Sequence, residues 1–371
     1  MRTFWCPPPA TDENLARVKA EGYNLTWTPE EGLDAARRHG LRAMLQDPLL
    51  APSSLDDPEA RRKLDALIER VRKHPALEAY FLRDEPSAAD FAGLGRLVTY
   101  LRERDPKRLA YINLFPTYAN NQQLGTAGDT VTAYKEHLRQ FVEVVKPDLI
   151  SYDHYHFFRE TDQPQYFLNL GMIREAAIAA GLPFLNIIQA STIEPVWRLP
   201  NERELRWLVY TTLAYGGRGI SYFLYWGPPE YGGLYRDGKP IPLAEAAAEL
   251  NHEVARLSPA LMDVDSMAVY HTAPIPLGAE GLPADAPVTV EGPGEFVVGV
   301  FGRAGKAQRF LVVNRDYRAS ALARVRLPSR VRSIEEMDKR TGKWTAGPAV
   351  QDGVAVVDLS PGDGRLFRWA R

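Results

Sequence analysis

The sequence is poor in cysteine and in clustered metal ligands. Cys6 is the one cysteine among 371 residues, which excludes an intrachain disulfide framework and a cysteine-rich zinc site. His154 and His156, next to Asp153, are two residues apart and would share one face of a strand. A zinc site needs a further ligand, and the sequence has no HExxH helix to supply one. We therefore expect neither a metal nor a cofactor.

An excess of one charge and long apolar runs are also missing. The 45 basic and 47 acidic residues leave a net charge of −2, so no basic footprint for nucleic acid is present. No apolar run is long enough to span a bilayer, and the N-terminus has no apolar signal-peptide core. We expect a soluble protein with no nucleic-acid or membrane partner. Since the first predicted strand begins at residue 3, an export segment trimmed from upstream stays open, as do localisation and oligomeric state.

No glycine-rich phosphate loop follows the first predicted strand, which disfavours a doubly wound nucleotide-binding sheet. Instead, short apolar runs alternate with amphipathic helical stretches, the pattern of βαβ units. The predicted strands lie at residues 3–6, 23–27, 41–46, 77–83, 109–114, 149–152, 184–188 and 219–225. Eight such units with right-handed crossovers most simply close into a (β/α)8 TIM barrel over residues 1–260.

The hydrophobic pattern of the sequence changes after the predicted barrel. Helical periodicity gives way to short runs of alternating hydrophobicity, separated by turn residues such as those at 292–294 and 361–364. This pattern is typical of an antiparallel β-sandwich. We therefore predict a second domain of that kind over residues 261–371, so that the chain combines a catalytic-type barrel with a C-terminal sandwich.

The fourth predicted strand ends in two adjacent carboxylates, Asp84 and Glu85, followed by Pro86. In a TIM barrel, residues at this end of a strand lie on the rim where the chemistry takes place. Adjacent side chains on a strand point to opposite faces, so the two acids can serve one site only if the strand bends there. The structural alternative is that Asp84 or Ser87 caps the helix that follows.

Polar and aromatic side chains stand at the ends of most other predicted strands. They are Trp5, Trp27, Asn113, Tyr152, Asp153, His154, Tyr155, Gln189, Tyr225 and Trp226. For any one ring, ordinary barrel packing is the better interpretation. As a set gathered at one rim, however, they suit a carbohydrate, whose hydroxyls take hydrogen bonds and whose C–H faces pack on aromatic rings. The expected partner is an oligosaccharide, a polysaccharide or another glycoside.

The barrel and its strand ends resemble the retaining (β/α)8-barrel glycoside hydrolases, especially the large clan A of β-glycosidases. In that clan the acid/base glutamate ends strand four, after a polar residue that contacts the 2-position of the sugar. Glu85 and Asp84 match these places, and Trp226 matches a tryptophan at the end of strand eight. The Asp-Glu-Pro motif also resembles that of glycoside hydrolase family 123, the β-N-acetylgalactosaminidases, in which an Asp-Glu pair works by substrate assistance. The resemblance implies a retaining hydrolase of β-glycosidic bonds with Glu85 as general acid/base and the sandwich as an accessory domain.

One position departs from the clan. Its nucleophile is a glutamate at the end of strand seven, where this chain has Gln189, and an amide cannot form the glycosyl-enzyme ester. Three explanations are open. Asp84 can orient a 2-acetamido group so that no strand-seven carboxylate is needed; Asp153 or Glu194 can supply the second carboxylate; or residue 189 has been changed to trap substrate.

Two other functions compete with hydrolysis. Gln189 is also compatible with a catalytically silent, carbohydrate-binding barrel. A lyase or isomerase could use Asp153 and His154 as acid and base on the same rim.

Overall fold

The computed structural model describes residues 1–228 and 231–369. In this part of the chain, eight parallel strands form one closed sheet with the order β1-β8-β7-β6-β5-β4-β3-β2. The strands are β1 (Arg2–Phe4), β2 (Leu25–Thr28), β3 (Arg42–Leu45), β4 (Leu77–Asp84), β5 (Leu109–Leu114), β6 (Ile150–Asp153), β7 (Phe184–Gln189) and β8 (Gly219–Phe223). The predicted TIM barrel is confirmed.

The junction between β1 and β2 is closed by one asparagine rather than by a regular ladder. The backbone N–H of Asn24 donates to the carbonyl of Arg2 at 3.1 Å. In return, the backbone N–H of Arg2 donates to Oδ1 of the Asn24 side chain at 2.8 Å. This exchange pairs both backbone groups of Arg2 across the junction between the two strands.

Helices cover the outside of the barrel. They are α1 (Asp12–Ala20), α2 (Leu33–Arg38), α3 (Pro58–Val71), α4 (Phe91–Arg104), α5 (Asn121–Leu124), α6 (Thr130–Gln140), α7 (Tyr166–Ala180), α8 (Glu202–Ala214) and α9 (Pro242–Met262). Helix α3 shows why they form: Asp57 caps its first turn, Pro58 occupies a position that needs no N–H, and Leu64, Leu67 and Ile68 bury one face. The short α5 lies in the connection between β5 and α6, and Asn120 caps it.

The last predicted strand is shorter than expected. Strand β8 ends at Phe223, not at residue 225. The next residues instead join other loops: the N–H of Tyr225 donates to the carbonyl of Trp5, and that of Trp226 to the carbonyl of Cys6. A small hairpin of β9 (Tyr235–Arg236) and β10 (Lys239–Pro240) follows before α9.

Two antiparallel sheets follow the barrel, as the sequence predicted. The first has the order β11-β13-β14-β20-β16-β17 and the second β12-β15-β19-β18. Their strands are β11 (Asp265–His271), β12 (Thr289–Glu291), β13 (Phe296–Arg303), β14 (Lys306–Asn314), β15 (Ala321–Arg326), β16 (Ile334–Met337), β17 (Trp344–Ala346), β18 (Val350–Gln351), β19 (Val354–Leu359) and β20 (Gly364–Trp369). The side chains between the sheets form their own apolar core, so the region is a β-sandwich.

The sandwich packs directly on the barrel through α8. Val297 and Leu311 of its first sheet belong to the same buried cluster as the barrel helices. At Gly299 the approach is so close that an added Cβ would lie 2.5 Å from the carbonyl oxygen of Ala214.

The predicted domain boundary at residue 260 falls in the last turn of α9, and residues 370 and 371 of the predicted second domain lie outside the described range.

Candidate active site

The end of β4 turns two adjacent acids towards the same space. Between Phe81 and Arg83 the pairing of β4 with β5 slips by one residue, a β-bulge that inserts Leu82. The bulge reverses the alternation of side chains, so Asp84 shares a face with its β5 partner Asn113. Glu85 then adopts φ +43°, a left-handed conformation that is unusual for a residue other than glycine. The strand therefore bends at the place where one site for both acids requires it.

A cavity of about 300 Å³ opens at this rim of the barrel. Among the described residues, its lining contains three carboxyl groups and no basic side chain. The lining residues are Trp5, Asp84, Glu85, Asn113, Phe115, Pro116, Tyr118, Ala119, Gln123, Asp153, Tyr155, Ile187, Trp197 and Phe223. Its size is at the lower end of the range for small-molecule sites, and its mixture of acids and aromatic rings suits a polar ligand with apolar faces.

Asn113 connects two of the acids. Its Nδ2 donates a hydrogen bond of 3.1 Å to Oδ1 of Asp84 on β4 and one of 2.9 Å to Oδ1 of Asp153 on β6. Asp153 is in turn hydrogen-bonded to Glu85 through their side chains. The three carboxyl groups lie at the ends of β4 and β6, and Asn113 of β5 connects them into one cluster.

Burial and mutual repulsion raise the pKa values in this cluster. The pKa of Glu85 is raised to about 7, first by burial and then by the charge of Asp84, while the hydrogen bond to Asp153 works in the opposite direction. The pKa of Asp153 is raised well above its usual value by its complete burial and by the charge of Glu85. Two carboxyls that share a hydrogen bond titrate as a pair, so one proton is held between them near neutral pH.

Asp84 differs from this pair because it is exposed to the cavity mouth. Burial by the surrounding protein atoms raises the pKa of Asp84 above its usual value, although the hydrogen bond from Asn113 and the charge of Arg83 work in the opposite direction. Of the three acids, Asp84 is therefore the one best able to carry a negative charge while facing a ligand.

Aromatic rings form two walls of the cavity. On one side Trp5 leans against the buried Trp27, with ring centroids 4.7 Å apart, and against Phe81. On the other side the Tyr155 ring lies 4.4 Å from that of Trp197 and 5.1 Å from that of Phe223. Walls of this kind provide flat apolar faces beside the acids.

The structure brings six of the predicted site residues to the described cavity lining: Trp5, Asp84, Glu85, Asn113, Asp153 and Tyr155. The other predicted residues lie elsewhere. Trp27 is buried behind Trp5, and its Nε1 donates to the hydroxyl of Thr3. Tyr152 and Tyr225 are completely buried in the layer between barrel and helices.

His154 lies behind the cavity wall. Its ring packs against Tyr118, and its Nδ1 is hydrogen-bonded at 3.0 Å to Oδ1 of Asn169. Complete burial lowers the pKa of His154 to about 3, so the ring stays neutral. Trp226 is outside the cavity as well: its ring stacks on Tyr235, under the guanidinium of Arg17.

Gln189 is buried and holds two loops together. Its Oε1 accepts a hydrogen bond from the N–H of Phe157, and its Nε2 donates to the carbonyls of Phe157 and Arg198. The strand-seven residue that faces the cavity is Ile187. Glu194, the other acid considered on sequence grounds, is exposed and forms an ion pair with Arg159.

Several lining residues were not singled out from the sequence. Tyr118 belongs to the loop after β5, Gln123 to the short helix α5 that follows it, and Trp197 to the loop between β7 and α8. Loops that follow barrel strands always lie on the catalytic face, and that rule could have nominated Tyr118. Trp197 lies eight residues beyond the end of its strand, where no local signal marks it. Phe223 takes the place at the end of β8 that the sequence assigned to Trp226.

In residues 1–228 and 231–369, no group of three or more histidine, cysteine or acidic side chains is arranged to hold a metal ion. No helix in these same ranges combines the length and apolar character that a membrane crossing requires.

Comparison with known proteins gives a match of fold but not of sequence. No protein-family model matches the chain, and no curated protein sequence does. A family 5 glycoside hydrolase from Bacteroides vulgatus ATCC 8482 superposes with a TM-score of 0.61 at 11% identity, covering 99% of this chain and 87% of that one. A β-galactosidase from the haloarchaeon Halorubrum lacusprofundi gives 0.53 at 12% identity, over 99% and 98%.

A β-galactosidase from Marinomonas ef1 gives a TM-score of 0.53 at 14% identity, and the alignment covers 71% of this chain but only 61% of that enzyme. At such identities the comparisons establish the architecture alone. The fold of this chain is that of the barrel glycoside hydrolases, as the sequence resemblance predicted.

Proposed function

We propose that this protein is a retaining glycoside hydrolase that cleaves a β-glycosidic bond, with Glu85 as its general acid and base. The observation that carries the proposal is the cluster of Asp84, Glu85 and Asp153 in an aromatic-walled cavity at the barrel rim. A general acid must hold a proton near neutral pH, and a pKa of about 7 meets this condition for Glu85.

Asp84 is the second catalytic group in this proposal. It faces the cavity next to Glu85, and its carboxylate can accept a hydrogen bond from the N–H of a 2-acetamido substituent. The acetamido oxygen then attacks the anomeric carbon while Glu85 gives its proton to the leaving oxygen. In the second step Glu85 takes a proton from the water that opens the intermediate. No strand-seven carboxylate is required, in keeping with the structural role of Gln189.

Asp153 is the alternative second carboxylate, as a direct nucleophile. The hydrogen bond between Asp153 and Glu85 brings the two carboxyl groups closer together than the roughly 6.5–9.5 Å of inverting enzymes, and also closer than the roughly 5–5.5 Å of a direct retaining mechanism. The direct route therefore requires the two carboxyl groups to separate when the substrate enters. Complete burial and a proton shared with Glu85 make Asp153 a poorer nucleophile than an exposed, ionised carboxylate.

A panel of aryl β-glycosides tests the proposal. The panel contains glucosides, galactosides, N-acetylglucosaminides and N-acetylgalactosaminides, and release of the aglycone is measured together with the anomer formed first. We expect turnover with retention, strongest on a 2-acetamido sugar. Asp84→Asn should severely reduce cleavage of that sugar, whereas Asp153→Asn should do so if the direct route operates.

The rival functions give different results on the same panel. Sugar binding measured by calorimetry without any turnover would support a silent binding barrel and contradict hydrolysis. Turnover that is unaffected by Glu85→Gln would remove Glu85 from its role. Glu78→Gln is the matched control, because Glu78 lies near the opposite end of the same strand, where it pairs with Arg42.

A further inference from the structure

A chain of hydrogen bonds runs under the floor of the cavity through three residues that the proposed reaction does not use. The hydroxyl of Tyr111 lies 2.8 Å from Oγ of Ser151, and Oγ of Ser151 donates to Oδ1 of Asn113 at 3.1 Å. On its other side, Nδ2 of Asn113 donates to both Asp84 and Asp153. Tyr111, Ser151 and Asn113 are all buried, with exposed fractions of 2% or less.

The direction of these bonds follows from the number of protons available. Ser151 has one hydroxyl proton and uses it on Asn113, so Tyr111 must donate to Ser151. With its oxygen engaged in this way, the amide of Asn113 is forced to turn its NH2 group towards the acids. The opposite orientation would place the amide oxygen against two carboxyl groups and leave the serine without an acceptor.

We propose that Tyr111 and Ser151 are positioning residues, which fix the amide of Asn113 so that it holds the carboxyls of Asp84 and Asp153 in place on either side of Glu85. The inference rests on the proposed function, because it assigns these residues a part in the same site. One amide with two donor hydrogens serves two strands at once: β5 carries it between β4 and β6, and the sheet register sets the spacing. The acids are therefore aligned by the barrel rather than by a ligand.

The hydrogen bonds from Tyr111 through Ser151 to Asn113, here called the relay, also affect the ionisation of Asp84 and Asp153, since a donor to a carboxylate favours its charged form. The hydrogen bond from Asn113 lowers the pKa of both Asp84 and Asp153, against the rise caused by burial. Other titratable or charged groups also act on these two acids. Among the described residues they are Cys6, Arg83, Glu85, Tyr111, Tyr118, Tyr134, Tyr152 and Tyr155.

Ser151→Ala tests the relay because it frees the Asn113 amide without changing any cavity-lining side chain. Ser221→Ala is the matched control: Ser221 is a buried barrel serine on β8 whose hydroxyl has no hydrogen-bond partner among the described residues. We expect Ser151→Ala to reduce kcat about 10- to 100-fold with little change in KM. The acidic limb of the pH profile of kcat/KM should move upward by about half a unit to one unit.

A measurement without substrate separates this inference from the proposed function. Carbon-13 NMR of labelled aspartate carboxyls gives the pKa of Asp84 in the resting protein, assigned with Asp84→Asn. A higher pKa in Ser151→Ala than in wild type and Ser221→Ala supports the relay even if no glycoside is cleaved.

Tyr111→Phe removes one oxygen atom and leaves the packing unchanged, so it serves if Ser151→Ala fails to fold. It should move the pKa of Asp84 in the same direction by a smaller amount. An Asp84 pKa and a pH profile that match those of Ser221→Ala, in whichever relay variants fold, would overturn the inference.

Discussion

The carboxyl groups of Glu85 and Asp153 are hydrogen-bonded to each other although their strands, β4 and β6, are separated by β5. Glu85 reaches across because its backbone turns at φ +43° directly after the β4 bulge. The contact brings two acids that are 68 positions apart in the chain into one proton-sharing pair.

Glu85→Gln should reduce turnover about 10²- to 10⁴-fold on substrates with poor leaving groups, because the amide cannot donate the required proton. Substrates with strongly activated leaving groups need less protonation and should lose less. Comparing rates over a series of aryl glycosides with different phenol pKa values checks this. Equal losses across the series would show that Glu85 does not protonate the leaving oxygen, and Glu78→Gln should leave all rates unchanged.

The basic limb of the pH profile should follow Glu85. Its pKa of about 7 means that the acid loses its proton as the pH rises through neutrality, and kcat/KM should fall there. Asp84→Asn removes a negative charge that raises this pKa, so the limb should move to lower pH in whatever activity remains. Asp285→Asn, which removes a negative charge at an exposed position of the C-terminal domain, is the control and should leave the limb in place. A limb that stays in place would show that another group sets it.

Stability should fall with rising pH through the same ionisation. The folded pKa of Glu85 lies above its ordinary value of 4.5, so its favourable contribution is complete below about pH 4.5 and lost as the pH passes about 7. Glu85→Gln should therefore be more stable than wild type at pH 8, by about 2 kcal/mol after allowance for the open cavity. The difference should disappear near pH 4. Urea unfolding at the two pH values measures it, and an equal difference at both would contradict the assignment.

The two tryptophans Trp197 and Trp226 distinguish the sequence prediction from the observed cavity. Trp197 lines the cavity against Tyr155, whereas Trp226 stacks outside it on Tyr235. Trp197→Ala should raise KM about tenfold, since a ring face at a binding site contributes on the order of 1 kcal/mol or more. Trp226→Ala should change KM much less. A larger rise in KM for Trp226→Ala than for Trp197→Ala would instead support the sequence-based prediction that Trp226 contacts the substrate.

Gln189→Glu should not create a nucleophile. The substitution exchanges two amide donors for a carboxylate that faces the carbonyls of Phe157 and Arg198 in a fully buried position. We expect a loss of about 3 kcal/mol in the free energy of unfolding and no gain in activity. The exposed Gln351→Glu should be neutral by comparison. A gain in turnover would mean that residue 189 can reach the cavity.

Much of the architecture was readable from the sequence because it depends on local patterns. The alternation of apolar runs with amphipathic helices gave the barrel, and the later change to period-two runs gave the sandwich. The carboxyl ends of parallel strands share one rim, so Asp84, Glu85 and Asp153 could be nominated together. Whether a residue lies on this rim depends only on its being at the carboxyl end of a strand, which the predicted order of strands and helices already determines.

Which rim residues face the cavity was decided by the tertiary structure alone. Side-chain alternation makes orientation depend on single-residue shifts, and neither the β4 bulge nor the turn at Glu85 has a sequence signature. The role of Gln189 has no sequence signature either, because its amide is hydrogen-bonded to loops from two other parts of the chain. The position of Trp197 also has none, because a long loop places its ring against Tyr155. The sequence by itself determined that Asp84, Glu85 and Asp153 lie on the same rim of the barrel. Long-range packing decided that their carboxyl groups face one cavity, because contacts between distant loops and strands produce no signal in the local sequence pattern.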